Sequence, residues 1–159
     1  MLMVDAMYAC DEQSVESGLT IAADNLFVDG KLFSESGMIE HIAQSAALFA
    51  GYNDWINKRP ISLGYIAEIR KFALKTPAHA GDSLRSSLKV QSQAMGITLM
   101  NAVTTINGQE AAACKIKIFI DKKGWLTVHA IQTALVRLTS LRCLSTTSTV
   151  FRWYGTATT

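Results

Sequence analysis

Ser36-Gly37-Met38-Ile39-Glu40-His41-Ile42-Ala43-Gln44-Ser45-Ala46-Ala47-Leu48-Phe49-Ala50-Gly51 decides the fold of this 159-residue chain. The stretch predicts a helix over 36–51, with Ser36 able to cap its first turn and Gly51 able to close its end. Met38, Ile39, Ile42, Ala43, Ala46, Ala47, Leu48 and Phe49 occupy nearly every side of it. A helix apolar almost all round has to be surrounded by other structure.

What surrounds it reads as β. Upstream, residues 1–9 and roughly 18–28 are apolar-rich and separated by Asp11-Glu12-Gln13-Ser14, which suggests a hairpin. Downstream, 62–75 form a long mixed run that ends at Pro77, and Gly81-Asp82 mark a turn. Leu84, Leu88 and Val90 then alternate with Arg85, Ser87 and Lys89. Gly96 breaks that run, 97–106 resume it, and Asn107-Gly108 is a strong hairpin signal. Ala112, Cys114, Ile116, Ile118 and Ile120 alternate with Lys115 and Lys117, as in a half-buried antiparallel strand. Two strands, one apolar helix and four strands make an α+β fold, with an antiparallel sheet wrapped around one central helix.

Charge divides the chain in two. Residues 1–121 hold ten Lys and Arg against all thirteen acidic residues, a net of −3; from Lys122 onward there are five basic residues and no acid, a net of +5. The break predicts one domain over 1–121 and a basic extension over 122–159, which also carries twelve Ser and Thr. Within that extension Ile131, Leu135, Leu138 and Leu141 have helical spacing beside Arg137 and Arg142. This pattern suits a basic amphipathic helix for a membrane surface or a partner, and equally an extension outside the core.

Composition excludes several functions. A mildly acidic body argues against a nucleic-acid-binding core. No run approaches the roughly 18 to 20 apolar residues of a membrane span. Met1-Leu2-Met3-Val4-Asp5 has no basic flank, unlike a signal peptide. Cys10, Cys114 and Cys143 are odd in number and far apart, and His41, His79 and His129 are equally scattered. Neither a disulfide framework nor a metal site is expected, no cofactor is implied, and the reducing cytoplasm is the simpler location.

Glu40 is the anomaly of the apolar helix. A carboxyl group among Met38, Ile39 and Ile42 has to be paired, hydrogen-bonded, neutral or functional; the alternative is an exposed helix end. Gln44, four residues on, shares its face and can bond to it. A carboxyl so placed suits general acid–base work. Gly37 opens the helix with no side chain, so N–H groups and the positive dipole end could polarise a thioester carbonyl, or Gly37 is simply a small residue at a helix start.

The order of these segments resembles the hotdog-fold 3-hydroxyacyl-[acyl-carrier-protein] dehydratases over about residues 1–120. MLMVDAMYACDEQSVESGLTIAADNLFV (1–28) is similar to their opening strands, and GMIEHIAQSAALFAGY (37–52) to their central helix with its E-x-x-A-Q core, here Glu40, Ala43 and Gln44. LGYIAEIRKFALKTPAHAGDSL (63–84) resembles their next strand and P-x-x-x-G-D turn, here Pro77, Gly81 and Asp82; INGQEAAACKIKIFI (106–120) resembles the closing hairpin.

The resemblance implies a hotdog fold, a homodimer with active sites at the subunit interface, and acyl thioesters carried on acyl carrier protein or coenzyme A. It implies that a histidine removes the C2 proton of a 3-hydroxyacyl group while the helix glutamate, Glu40 here, handles the 3-hydroxyl. Gly37 and Gln44 would contact substrate. The family's histidine, in a loop before the helix, has no counterpart in FVDGKLFSESG (27–37), where Asp29 and Lys31 are the polar candidates to stand in its place. His41 points about 100° away from Glu40 around the helix, and His79 lies in the P-x-x-x-G-D turn. Three readings follow: a dehydratase-like lyase, a hotdog thioesterase using Glu40 without a histidine, or a non-catalytic acyl-binding subunit paired with a complete hotdog protein.

Overall fold

The computed structural model describes residues 1–121 together with the two-residue strand 142–143. Its elements run β1 (Ala6–Cys10), β2 (Ser14–Thr20), β3 (Val28–Asp29), β4 (Leu32–Phe33), α1 (Glu35–Ile56), β5 (Leu63–Leu74), β6 (Ala78–His79), β7 (Ser83–Ala94), β8 (Ile97–Ile106), β9 (Gln109–Asp121) and β10 (Arg142–Cys143). The main sheet has the order β10-β1-β2-β7-β8-β9-β5, antiparallel throughout except for the parallel β1–β10 pair. It curves around α1 with the core between them, formed by Ile42, Ala46 and Phe49 of the helix and Leu84, Leu88, Met100 and Ile116 of the strands. This is the expected α+β hotdog architecture, a sheet around one helix.

The alternation read from β7, β8 and β9 holds. Along β8, Thr98, Met100, Ala102, Thr104 and Ile106 face the core. Two tight hairpins set the register. Asn107 and Gly108 both take positive φ (51° and 80°), and so do Met95 and Gly96 (50° and 78°). Two successive left-handed residues match the twist of the flanking strands. Irregularities in the β5–β9 ladder, at Ile66/Glu68 and Arg70/Ala73, bend the long edge strand.

Four boundaries depart from the sequence expectation. The first strand starts at Ala6 because Met3 spends its backbone N–H and C=O on helix side chains and not on a neighbouring strand. The second is Ser14–Thr20, not 18–28: Asp11 Oδ1 accepts from the N–H groups of Gln13 and Ser14, both at 2.7 Å, so the chain reverses at once. The helix begins at Glu35, with its cap two residues earlier than expected at Ser34, whose Oγ accepts from the Gly37 N–H at 3.2 Å; Ser36 is exposed within the first turn. It also runs through Gly51 to Ile56, where Asn57 caps it and its Nδ2 donates to the Asn53 carbonyl.

A second sheet, β3-β4-β6, was not anticipated; its strands are two residues each, below the length at which alternation is visible. It ties the segment before the helix to the Pro77–Asp82 turn through the register Leu32↔His79 and Phe33↔Ala78. Among the described residues no helix is long and apolar enough to cross a membrane. The amphipathic pattern at Ile131–Leu141 lies outside the described residues.

Candidate functional site

The first turn of α1 is built on a close approach. Ser34 N–H donates to the Phe27 carbonyl at 2.9 Å, drawing the loop onto the helix start. A Cβ on Gly37 would lie 2.6 Å from both Phe27 Cβ and the Phe33 ring, distances that side chains do not tolerate. Glycine is therefore demanded here by packing. Its N–H is not free for a thioester carbonyl, because Ser34 takes it, and the residue is buried. Gly37 thus lacks the open amide expected of a substrate-binding group.

One turn further on, Glu40 and Gln44 face the same way and are half-buried, so Glu40 is neither in the core nor at an exposed end. Gln44 Nε2 donates to Glu40 Oε1 at 2.8 Å and to the Met1 carbonyl at 3.2 Å; its Oε1 accepts from the Met3 N–H at 2.8 Å. The i,i+4 contact expected from spacing is present. Because its carboxamide is engaged at both ends within the chain, Gln44 orients Glu40 and has no donor left for a substrate.

The neighbouring His41 has the opposite surroundings. It is fully buried, with Nδ1 2.6 Å from the Met3 carbonyl and Nε2 2.8 Å from Ser86 Oγ. A carbonyl only accepts, so Nδ1 carries the hydrogen and Nε2 of the neutral ring accepts from Ser86. Ser86 Oγ in turn lies 2.6 Å from Thr104 Oγ1. Burial pushes the His41 pKa down, against smaller upward effects of the Met3 carbonyl and Asp5. With both nitrogens bonded in the core, this imidazole cannot serve as base for an external substrate.

The other titratable candidates make no bond to Glu40, whose partner is Gln44. His79 stands on the outward face of the small sheet beside exposed Leu32, while Ala78 and Phe33 face inward. Its ring Nδ1 is 3.8 Å from Asp82 Oδ2, and its N–H donates to the same oxygen at 2.8 Å. Asp29 and Lys31 flank Gly30 in an exposed turn, where the Lys31 carbonyl accepts from the Ala80 N–H. Leu26, just before that loop, is 80% exposed. Met1 and Leu2, also exposed, put apolar side chains in solvent near the Glu40–Gln44 pair. An open depression of about 410 Å³ lined by Trp55, Ile56 and Lys58 lies at the far end of α1, roughly 22 Å from Glu40 at the helical rise per residue.

Sequence reasoning missed Ser86 and Thr104. The signal was there: each is a hydroxyl at an inward position of an alternating strand, between Leu84 and Leu88 and between Ala102 and Ile106. Among the described residues no three His, Cys, Asp or Glu side chains are grouped to hold a metal ion, and Cys10 and Cys114 are free.

A carboxyl on the central helix of a sheet-wrapped fold, held by a glutamine one turn on, is the arrangement to set beside known proteins. The model of the ApeP-like family, described as ApeP dehydratase, matches residues 1–127. The chain belongs to this family. No curated protein matches its sequence. Among solved structures, the dehydratase heterocomplex ApeI:P from Xenorhabdus doucetiae superposes with a TM-score of 0.66 at 16% identity, covering 86% of this chain and 88% of that one. The PaaI protein of the E. coli phenylacetic acid degradation operon gives 0.57 at 16% identity, covering 72% and 81%. A hypothetical thioesterase with coenzyme A from Streptococcus pneumoniae gives 0.58 at 12%, covering 74% and 94%. At these identities the structures speak for the fold of this ApeP-like chain.

Proposed function

We propose that this ApeP-like chain supplies the glutamate of a dehydratase-like site acting on 3-hydroxyacyl thioesters, carried on acyl carrier protein, in cytoplasmic fatty-acid or related acyl-chain biosynthesis. The observation that carries the reading is the Glu40 carboxyl, half-buried on the central helix and fixed by Gln44. The reaction removes a proton from C2 and the hydroxyl from C3, leaving a 2-enoyl thioester and water. Protonated Glu40 would donate to the departing 3-hydroxyl, which general acid catalysis makes a better leaving group.

The C2 base has to come from elsewhere. His41 is locked in the core, His79 is exposed beside Asp82, and the loop before the helix carries no histidine. A second subunit is the simplest source, and exposed Met1 and Leu2, whose segment Gln44 holds, give it apolar side chains near Glu40. The working unit is then a dimer, with a histidine-bearing hotdog protein as the partner that completes the site. The Xenorhabdus neighbour, itself a dehydratase heterocomplex, supports this choice over a homodimer.

The test is to give a 3-hydroxyacyl-acyl-carrier-protein to the chain alone and to its mixture with a histidine-bearing hotdog protein, and to follow water loss by mass spectrometry. Water loss is expected in the mixture, and Glu40→Gln should lower kcat by about 100-fold or more, the usual scale of one general acid. Full activity of Glu40→Gln would reject the reading. Thiol release from a saturated acyl thioester, abolished by the same variant, would replace it with a thioesterase.

A further inference from the structure

Met3 is gripped from two positions of one helix. Its carbonyl accepts from His41 Nδ1 and its N–H donates to Gln44 Oε1, three residues further along α1. The N-terminal segment leaves the sheet at this point: Asp5 N–H still reaches the Gly18 carbonyl, whereas Met3 has exchanged strand partners for helix side chains. Met3 is wholly buried, so neither of its backbone groups could turn to water if the helix released it.

These bonds form one line. Thr104 on β8 bonds Ser86 on β7, Ser86 bonds His41 Nε2, His41 bonds Met3, Met3 bonds Gln44, and Gln44 bonds Glu40. The inner end is anchored in the middle of the sheet, where Ser86, Thr104 and His41 are all at 0% exposure. The outer end is a half-buried carboxyl. Such a line transmits position: losing the His41 donor strands the Met3 carbonyl, loosens residues 1–5 and frees the Gln44 carboxamide to rotate away from Glu40.

We infer that His41 is a positioning residue for Glu40, acting through the Met3 backbone and the Gln44 carboxamide. The inference rests on the proposal that Glu40 is the working carboxyl. It assigns His41 no contact with substrate. It also accounts for a histidine at a core position where leucine would pack without any polar partner to satisfy.

The experiment reads Gln44 directly, so its outcome does not depend on activity. The two side-chain amide proton signals of Gln44, assigned by their loss in Gln44→Glu, are followed by NMR in ¹⁵N-labelled full-length protein. In folded His41→Leu they should move toward those of exposed glutamines and exchange faster with water. His41→Asn, which keeps a donor near the Nδ1 position, should return them most of the way. In the dehydration assay His41→Leu should lower kcat about tenfold with KM unchanged, and His41→Asn should recover most of it. Unchanged Gln44 signals in His41→Leu would overturn the inference. If that variant does not fold, Ser86→Ala must shift the same signals in the same direction, and no shift there overturns it equally. Should Glu40→Gln prove fully active, the proposed function falls while the Gln44 signals still decide whether His41 governs the line.

Discussion

The two faces of the main sheet handle polar residues in opposite ways. Between the inner face and α1, Ser17, Ser86 and Thr104 of the strands and His41 and Ser45 of the helix are completely buried and bonded to one another: Ser17 Oγ donates to Ser45 Oγ, and Ser45 Oγ to the His41 carbonyl, both at 2.7 Å. Among the described residues no buried side-chain nitrogen or oxygen lacks a partner. On the outer face polar groups reach water, and many are charged. Glu68 bonds Arg70 and, at 2.9 Å, Lys117; Arg85 meets Glu16 at 2.7 Å and lies 4.5 Å above the Tyr8 ring. The inner groups have no water to fall back on, so each bond depends on the next; the outer groups exchange partners for solvent at little cost.

Removing the imidazole should therefore have the largest effect. His41→Leu strands the Met3 carbonyl and the Ser86 hydroxyl in the core, and an unsatisfied buried group costs about 1–3 kcal/mol. A loss of about 3 kcal/mol in unfolding free energy, measured by urea denaturation, is expected, with little change in the slope of the transition. A loss below about 1 kcal/mol would mean that the inner bonds relax as easily as the outer ones and would erase the contrast.

How much of this could be read from the sequence follows from the same difference. The apolar helix, the long strands β5 and β7–β9 and the hairpin at Asn107-Gly108 follow from local periodicity and turn chemistry, and the Glu40–Gln44 bond follows from helical spacing. The Met3–His41–Ser86 line does not, because it joins residues 38 and 45 positions apart, and only the closed fold brings them together. The helix start was misplaced for a local reason: Ser34 and Ser36 are both serines, and the choice between them depends on Ser34 being extended (φ −72°, ψ 157°). The two readings of Gly37, an opening for a ligand and a small residue at a helix start, cannot be separated locally, because the rings of Phe27 and Phe33 that fill the space beside it come from the loop and the small sheet.

A second, smaller effect is graded with pH. Burial holds the His41 pKa below its ordinary value, so the unfolded chain takes up a proton that the folded core resists. The sign follows: stability is complete above the unfolded histidine pKa near 6.5 and falls as the pH drops through it, by up to about 1.4 kcal/mol per unit. Urea midpoints from pH 8 to pH 5 should decline below about 6.5, and the part of the decline due to this ring should vanish in His41→Asn. A decline of equal size in that variant would assign the acid sensitivity to other groups.

The smallest effect belongs to the outer face. Glu68 sits at the centre of its charged group, and the hydrogen bond from Arg70, followed by that from Lys117, lowers its carboxyl pKa below the ordinary value. The lowered pKa places any contribution of this carboxylate above the acid range, to be lost as the pH falls. Its side chain is a third exposed, so water and salt replace what the two cations provide. Glu68→Gln should leave the urea midpoint at pH 7 indistinguishable from that of the unaltered protein, in low salt and in high. A midpoint shift as large as that of His41→Leu would show that the exposed charges hold the fold as firmly as the buried line does, and the contrast between the two faces would fail.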